Sequence, residues 1–316
     1  PAPIFIGAGF LPRGAPTPSP GSIKYNRVDF RKEKSPMRFR LRRRTSVAVI
    51  EIHGVIGNHV KIPEFSRLID SVAGNPRQKA LLLDIDSPGG SATGSEVLYR
   101  AIQRVAEHKP VYAYVRGMGA SGGYYLACAA SKVYALPTAL IGSIGVIYLR
   151  PVLEQLLAKV GVEFSVFKSG EFKDMTGFWR SPTDQESEKF QELINEIFDN
   201  FVAVVASGRS LKEKAVREIA TGEVMTAQRG IGVGLVDEIG DFKDTLEAAA
   251  EAGGCEPTAR WIRPSRSIGQ RLFNRTGIGQ QNGGNLFTEG LQRLLTGGIY
   301  YLDPGYIGGD YPGTSS

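Results

Sequence analysis

Cysteine, histidine and tryptophan are scarce in this sequence of 316 residues, and it has no long apolar run. Its two cysteines allow no more than one disulfide and cannot build a thiolate metal cluster. Three histidines argue against a histidine-rich metal site. No apolar stretch reaches the ~20 residues that a membrane-spanning helix needs. The sequence therefore predicts a soluble chain without a metal centre or other cofactor.

Positive charge is concentrated in one short stretch. Ten lysines and arginines lie between Lys24 and Arg44 against two acids, and the rest of the chain carries a formal net charge of −2. Such an arm attracts phosphate on lipid headgroups or nucleic acid, although a simple solvated tail has the same composition. Few aromatic residues are interleaved for base stacking. Peripheral contact with a membrane is favoured, nucleic acid is not expected, and the predicted location is the cytoplasm or a membrane surface.

Composition divides the chain into three parts. Residues 1–44 begin with a proline-rich stretch and end in the basic stretch, which predicts a disordered arm. Residues 45–253 alternate strand and helix patterns, which predicts an α/β domain with a mostly parallel sheet. Residues 254–316 form a glycine-rich extension, and within it residues 286–295 have the pattern of an amphipathic helix. The two tails are expected to be flexible.

Apolar patterns place the elements of the central part. The predicted strands are 46–52, 80–86, 111–115, 132–136, 145–149 and 163–167. The predicted helices are 63–74, 93–107, 121–130, 151–160, 183–206, 211–220 and 243–252. The apolar stripe of the long helix 183–206 is interpreted as a packing face rather than a site.

A glycine-rich turn, GASGG (119–123), follows the predicted strand 111–115 and opens a helix. Its glycines let another backbone approach the Ser121 hydroxyl, and the helix N-terminus supplies free N–H groups beside it. An acyl-transfer nucleophile needs these surroundings, although a serine N-cap has the same pattern. The turn also matches G-x-S-x-G, but that hydrolase motif requires a later histidine, and none follows His108.

Lysine is the remaining common base for such a serine. A lysine that accepts a proton must be neutral, a state usually favoured by burial. The stretch KSGEFKD (168–174) offers Lys168 and Lys173, and position alone does not choose between them.

A second glycine turn, DSPGG (86–90), closes the predicted strand 80–86. Sites gather at the carboxyl ends of parallel strands. Backbone N–H groups of Gly90 and Gly122 are therefore candidates for holding an oxyanion, although a plain β–α connection has the same pattern.

Four motifs in order resemble the bacterial and archaeal signal peptide peptidase A family: DSPGG (86–90), GASGGYYLA (119–127), IGSIGVI (141–147) and KSGEFKD (168–174). The resemblance covers about residues 45–253 and is to the short, single-domain form without an evident membrane anchor. It implies the fold of Clp proteases and crotonases, with repeated ββα units and a helical segment. It also implies a serine/lysine endopeptidase that hydrolyses cleaved signal peptides, other apolar peptides or membrane-protein fragments.

The same resemblance implies a role for each site residue. Ser121 matches the nucleophile, and Lys173, the second lysine of its motif, matches the general base. Ser143 matches a serine that orients this lysine, and Gly90 matches the oxyanion donor, beside Gly122. Family members form ring- or dome-shaped homo-oligomers, so active sites shared between subunits are expected.

Two other classes stay open on the sequence alone. A crotonase-like acyl-CoA enzyme shares the architecture, but it typically needs a carboxylate where this chain has the GASGG serine. An inactive oligomeric scaffold or adaptor at a membrane surface would account for the basic arm and the long tail. Cys128, just after this turn, is expected to be a small buried residue rather than a nucleophile.

Overall fold

The structure, a computed structural model, describes residues 45–264 and 298–302. The predicted arm 1–44 and the predicted helix 286–295 lie outside the described residues. The strands are β1 (Ser46–His53), β2 (Gln78–Ser87), β3 (Gly89–Ser91), β4 (Val111–Ala120), β5 (Lys132–Ala135), β6 (Leu140–Gly142), β7 (Ile147–Leu149), β8 (Val224–Thr226), β9 (Glu238–Ile239), β10 (Ala259–Trp261) and β11 (Gly298–Leu302). The helices are α1 (Ile62–Ala73), α2 (Ala92–Ala106), α3 (Gly122–Ala127), α4 (Glu154–Lys159), α5 (Asp184–Arg209), α6 (Glu213–Ile219), α7 (Ala227–Gly232) and α8 (Phe242–Gly253).

A mostly parallel sheet forms the centre of the fold. Its main path runs β10-β1-β2-β4-β5-β9, and each neighbouring pair on this path is parallel. Strand β6 continues beside the carboxyl end of β4 in parallel, and β8 pairs with β6 in the antiparallel sense. The predicted α/β class with a mostly parallel sheet is confirmed.

Both faces of this sheet are buried. Along β1, Val47 and Val49 pack on the face that α8 covers, whereas Ile50 and Ile52 pack on the face of α1 and α2. Successive side chains of a strand point to opposite faces. Parallel strands covered on both faces therefore appear in the sequence as continuous apolar runs, which is why 46–52 and 80–86 were recognisable.

The long helix α5 packs by its second half. It begins in a capping box, in which Thr183 and Glu186 each accept from the backbone N–H of the other. Phe201, Val202 and Val205 are buried, which confirms packing for this part of the apolar stripe, while Leu193 in the first half stays exposed. No helix within the described residues is both long enough and apolar enough to span a bilayer.

The predicted strand 163–167 is wrong. These residues form no regular element, and their apolar side chains are partly or largely exposed, with Phe167 94% exposed. A strand needs a hydrogen-bonded neighbour, and none of the described strands pairs with this segment.

Residues beyond 254 contribute to both sheets of the structure. Strand β10 lies parallel to β1 at one end of the large sheet. Strand β11 is the middle strand of a separate sheet of three strands, between β3 and β7. The glycine turn 86–90 is therefore next to a strand that comes from near the end of the chain.

Candidate active site

Ser121 occupies a strained position between β4 and α3. Its φ of 51° and ψ of −117° lie outside the regions that residues other than glycine usually adopt. The side chain is 1% exposed, and its hydroxyl makes no capping hydrogen bond to α3. Ser121 therefore occupies the N-cap position of α3, but its hydroxyl does not cap the helix. Strain at a residue other than glycine is typical of functional sites.

Ser143 lies at the end of the adjacent strand. Ala120 of β4 is paired with Gly142 of β6, so Ser121 and Ser143 each follow one member of the pair. Ser143 also has a positive φ, 50°, and is 5% exposed, and its N–H donates to the Glu223 carbonyl at 2.8 Å. The structure therefore brings these two predicted residues to the same edge of the sheet.

Hydrogen bonds hold the glycine turn 86–90 in place. The Ser87 hydroxyl donates to the Gly54 carbonyl at 2.7 Å and accepts from the Gly89 N–H at 3.1 Å. Ile56 donates to the Gly89 carbonyl at 2.8 Å and accepts from the Ser91 N–H at 2.9 Å. Ser87 is not among the residues predicted for the site, although its place inside the DSPGG motif is a usable signal.

This turn lies directly against Gly122. Gly89 and Gly90 have φ values of 100° and 154°, and a Cβ on Gly90 would collide with the Ile56 carbonyl oxygen. A Cβ on Gly89 would lie 2.7 Å from the Gly122 nitrogen. Only glycine permits this approach, so the two predicted oxyanion donors, Gly90 and Gly122, belong to neighbouring loops.

The two candidate lysines differ in their surroundings. The Lys168 ammonium lies 2.6 Å from an Asp174 carboxylate oxygen and donates to the Glu171 carbonyl at 2.7 Å. The Lys173 side chain is exposed, and among the described residues no hydrogen bond joins it to Ser121 or Ser143. One chain alone does not bring the predicted base into contact with the predicted nucleophile.

An ion-pair network fixes the loop that carries Lys173. Arg180 bridges Asp174 and Glu186 with N–O distances of 3.0 and 2.5 Å. The guanidinium lowers the pKa of Glu186 to about 2, and together with Lys168 it holds the pKa of Asp174 well below its usual range. This network is not predicted from the sequence, although the T-x-x-E pattern at the start of α5 is a signal for the position of Glu186.

Cys128 follows the last residue of α3 and is 2% exposed. Burial raises the pKa of its thiol to about 12, so the sulfur stays protonated near neutral pH. The interpretation of Cys128 as a small buried residue is confirmed.

The fold is a mostly parallel α/β sheet with a buried, glycine-flanked serine after β4, and sequence comparison identifies the family. Residues 103–256 match peptidase family S49. The protein slr0021 of Synechocystis sp., whose name assigns it to the proteases, is 36% identical over 219 residues, which are 69% of this chain and 78% of the relative. The chain belongs to peptidase family S49, which confirms the resemblance to signal peptide peptidase A.

Two further similarities are more limited in extent. An Enterococcus faecium protein whose name assigns it to the signal peptide peptidases SppA is 35% identical over 171 residues, 54% of this chain. This chain spans only 50% of that relative. Among solved structures, the 1510-N membrane-bound stomatin-specific protease is 19% identical with a TM-score of 0.47, covering 70% of this chain and 99% of that one.

Proposed function

We propose that this chain is a serine endopeptidase whose nucleophile is Ser121 and whose general base is Lys173. One observation carries the proposal: a buried serine is held at positive φ between two glycine turns, and its hydroxyl caps no N–H of the helix that follows. A nucleophilic hydroxyl needs N–H donors near the carbonyl that it attacks, and the turn 86–90 packs against Gly122, the residue that follows this serine. Membership of a peptidase family supports the same reaction.

In the proposed reaction, the neutral amine of Lys173 accepts the Ser121 proton as the hydroxyl attacks a peptide carbonyl. The N–H groups of Gly90 and Gly122 stabilise the negative charge on the carbonyl oxygen. Lys173 then protonates the leaving amine, and water hydrolyses the acyl-enzyme. Ser143, at the end of β6, orients the lysine.

A homo-oligomer is part of the proposal because the base is exposed within one chain. Residues 149–167, which precede the lysine loop, expose many large apolar side chains. They are Leu149, Val152, Leu156, Val160, Val162, Phe164, Val166 and Phe167. A large exposed apolar patch is typical of an interface. We propose that this surface of one subunit packs on a different surface of the next and brings its Lys173 near Ser121 of that neighbour.

The proposed substrates are cleaved signal peptides, other apolar peptides and membrane-protein fragments. Relatives named signal peptide peptidase support this class. The basic stretch up to Arg44 supports peripheral contact with anionic lipid. Such contact would bring the enzyme to the surface at which these substrates are released.

The experiment compares hydrolysis of apolar peptides by the full chain and by three variants. Ser121→Ala and Lys173→Ala should each abolish hydrolysis, whereas Lys214→Ala, which removes an exposed lysine outside residues 149–167, should leave it unchanged. Labelling by a fluorophosphonate probe should require Ser121. Undiminished hydrolysis by Ser121→Ala would overturn the proposal.

A further inference from the structure

Strand β4 contains a bulge shortly before its carboxyl end. Its register with β2 advances from Ile85 to Ser87 on β2, but from Val115 to Gly119 on β4. Residues 116–118 of β4 therefore lie opposite a single residue of β2, and a regular ladder has no room for them. A bulge of this kind bends the strand that contains it. The last residues of β4 thus run in a direction that the bulge determines.

The same bulge separates two parts of β4 that have different neighbours. Up to Val115, β4 pairs with β5, and from Met118 to Ala120 it pairs with β6 instead. The second part of the strand continues directly into Ser121. The shape of the bulge therefore sets the direction of the segment that ends at the proposed nucleophile.

A buried carboxylate holds the first residue of the bulge. Asp84 on β2 is fully buried, and the Arg116 guanidinium donates to both of its oxygens, from Nε at 3.0 Å and from Nη2 at 2.5 Å. Arg116 makes both hydrogen bonds that described side chains donate to this carboxylate, since the His53 imidazole lies 3.6 Å away. Pairing through two parallel N–H groups fixes direction as well as distance.

A second carboxylate of β2 holds the rest of the bulge. Asp86 Oδ1 accepts a hydrogen bond from the Met118 N–H at 2.9 Å. A Cβ on Gly117 would lie 2.6 Å from the same oxygen, so glycine is needed for this close approach. Asp86 is also the first residue of the turn 86–90. Its side chain therefore links the strand that leads to the nucleophile with the loop that carries the proposed oxyanion donor Gly90.

The ion pair is not placed to touch a substrate. Asp84 lies on the same face of β2 as Leu82, which packs in the cluster of α8, and it is fully buried. A buried ion pair is often no more stabilising than two apolar residues of similar size. Its presence inside the apolar strand β2 thus indicates a need for a fixed direction of the bulge rather than a need for stability.

We propose that Asp84 and Arg116 are positioning residues for the proposed nucleophile. Their ion pair fixes the β4 bulge, and the bulge sets the position of Ser121 relative to Gly90. This inference rests on the proposed function, because it assigns the reaction to Ser121. A small displacement of a reacting group can lower the rate about 10²-fold. Loss of the ion pair should therefore lower kcat, while KM changes little.

The test separates position from stability with a double variant. Arg116→Ala leaves the Asp84 carboxylate buried without its partner, so it should lower both the unfolding midpoint and kcat. Asp84→Leu/Arg116→Ala removes this buried charge, so much of the midpoint should return. The bulge still lacks its ion pair, and kcat should stay about 10²-fold below wild type. Asp70→Leu/Arg104→Ala, at an exposed ion pair between α1 and α2, is the matched control and should keep the wild-type kcat.

Hydrogen exchange measured by mass spectrometry follows the strand without any substrate. In the double variant Asp84→Leu/Arg116→Ala, the amides of residues 116–122 should exchange roughly 10-fold or more faster than in wild type. Residues 111–115, which pair with β2 and β5, should keep their protection. Wild-type kcat in this variant, or unchanged exchange in residues 116–122, would overturn the inference.

The two measurements also separate this inference from the proposed function. If the wild-type chain hydrolyses no peptide, the peptidase proposal fails, and exchange in residues 116–122 still decides whether the ion pair holds the segment that ends at Ser121. If the wild-type chain hydrolyses peptides and the double variant has the same kcat, the peptidase proposal stands and the positioning role fails.

Discussion

The backbone N–H of Ser121 donates to the Gly142 carbonyl at 2.7 Å, which ties the proposed nucleophile to the strand that ends beside Ser143. The bond extends the β4–β6 ladder by one residue past Ala120. It supports the positive φ of Ser121, which the chain would otherwise not adopt. The position of the hydroxyl is therefore set by backbone, not by its own hydrogen bond to α3.

Because backbone hydrogen bonding holds the turn, Ser121→Ala should abolish hydrolysis and leave the fold intact. Alanine has the same backbone preferences and fits the buried space. We expect kcat/KM for an apolar peptide to fall by about 10⁴-fold or more. The thermal unfolding midpoint should stay within a few degrees of wild type. A much lower unfolding midpoint for this variant would show that the hydroxyl stabilises the fold.

The turn 86–90 should tolerate no side chain at its last glycine. In Gly90→Ala, the new Cβ meets the Ile56 carbonyl, and φ is 154°. We expect a loss of about 2 kcal/mol or more in the free energy of unfolding and a loss of hydrolysis. Gly74→Ala is the matched control, since nothing lies within 4 Å of its Cβ position. Denaturant unfolding of both variants would check this expectation. Equal unfolding midpoints for the two variants would contradict the close contact between Gly90 and the Ile56 carbonyl.

Much of the central sheet could be predicted because β1 and β2 are buried on both faces and so form long apolar runs. The Ser121 turn could be predicted because its glycines mark a close backbone approach. Strand β11 could not be predicted from the sequence. Its partners, β3 and β7, are three residues long and lie far from it along the chain. Short strands give little local signal.

In the segment 163–167, by contrast, the sequence predicts a strand that the structure does not contain. Its apolar residues are typical of a strand, yet no described strand pairs with it. The place of Lys173 relative to Ser121 could not be predicted either, since spacing in sequence does not give distances between loops.

Stability at low pH should depend on Glu186. Arg180 lowers the pKa of this carboxyl from 4.5 to about 2 in the folded chain. A lowered folded pKa adds stability that is present above pH 4.5 and is lost as pH falls toward 2. We therefore expect Glu186→Gln to flatten the dependence of the unfolding midpoint on pH in that window. Glu188→Gln, an exposed neighbour, should keep the wild-type slope, and identical slopes for both variants would contradict the ion pair.

Hydrolysis should rise with pH toward the alkaline side, because the proposed base acts as a neutral amine. Initial rates at saturating and at low peptide concentration would give the pH profiles of kcat and kcat/KM. Glu188→Gln, an exposed neighbour outside the ion-pair network of Arg180, should keep the alkaline rise. A rate independent of pH across this range would argue against a lysine base.

A mixing experiment tests whether the serine and the lysine come from different subunits. Ser121→Ala and Lys173→Ala are each expected to be inactive alone, and they are produced together so that they co-assemble. If each site takes its serine from one copy and its lysine from the next, random mixing in a closed ring leaves about a quarter of the sites intact. Hydrolysis should then recover to about that fraction of wild type.

If both groups come from one chain, every site of the mixture carries a defect and no activity returns. The exposed Lys173 side chain and the exposed apolar residues 149–167 favour the first outcome. Charged substitution of Phe167, which is 94% exposed, should lower both the mass of the assembly and the recovered activity. A mixture that stays inactive while its assembly remains intact would place the base within the same chain as the serine.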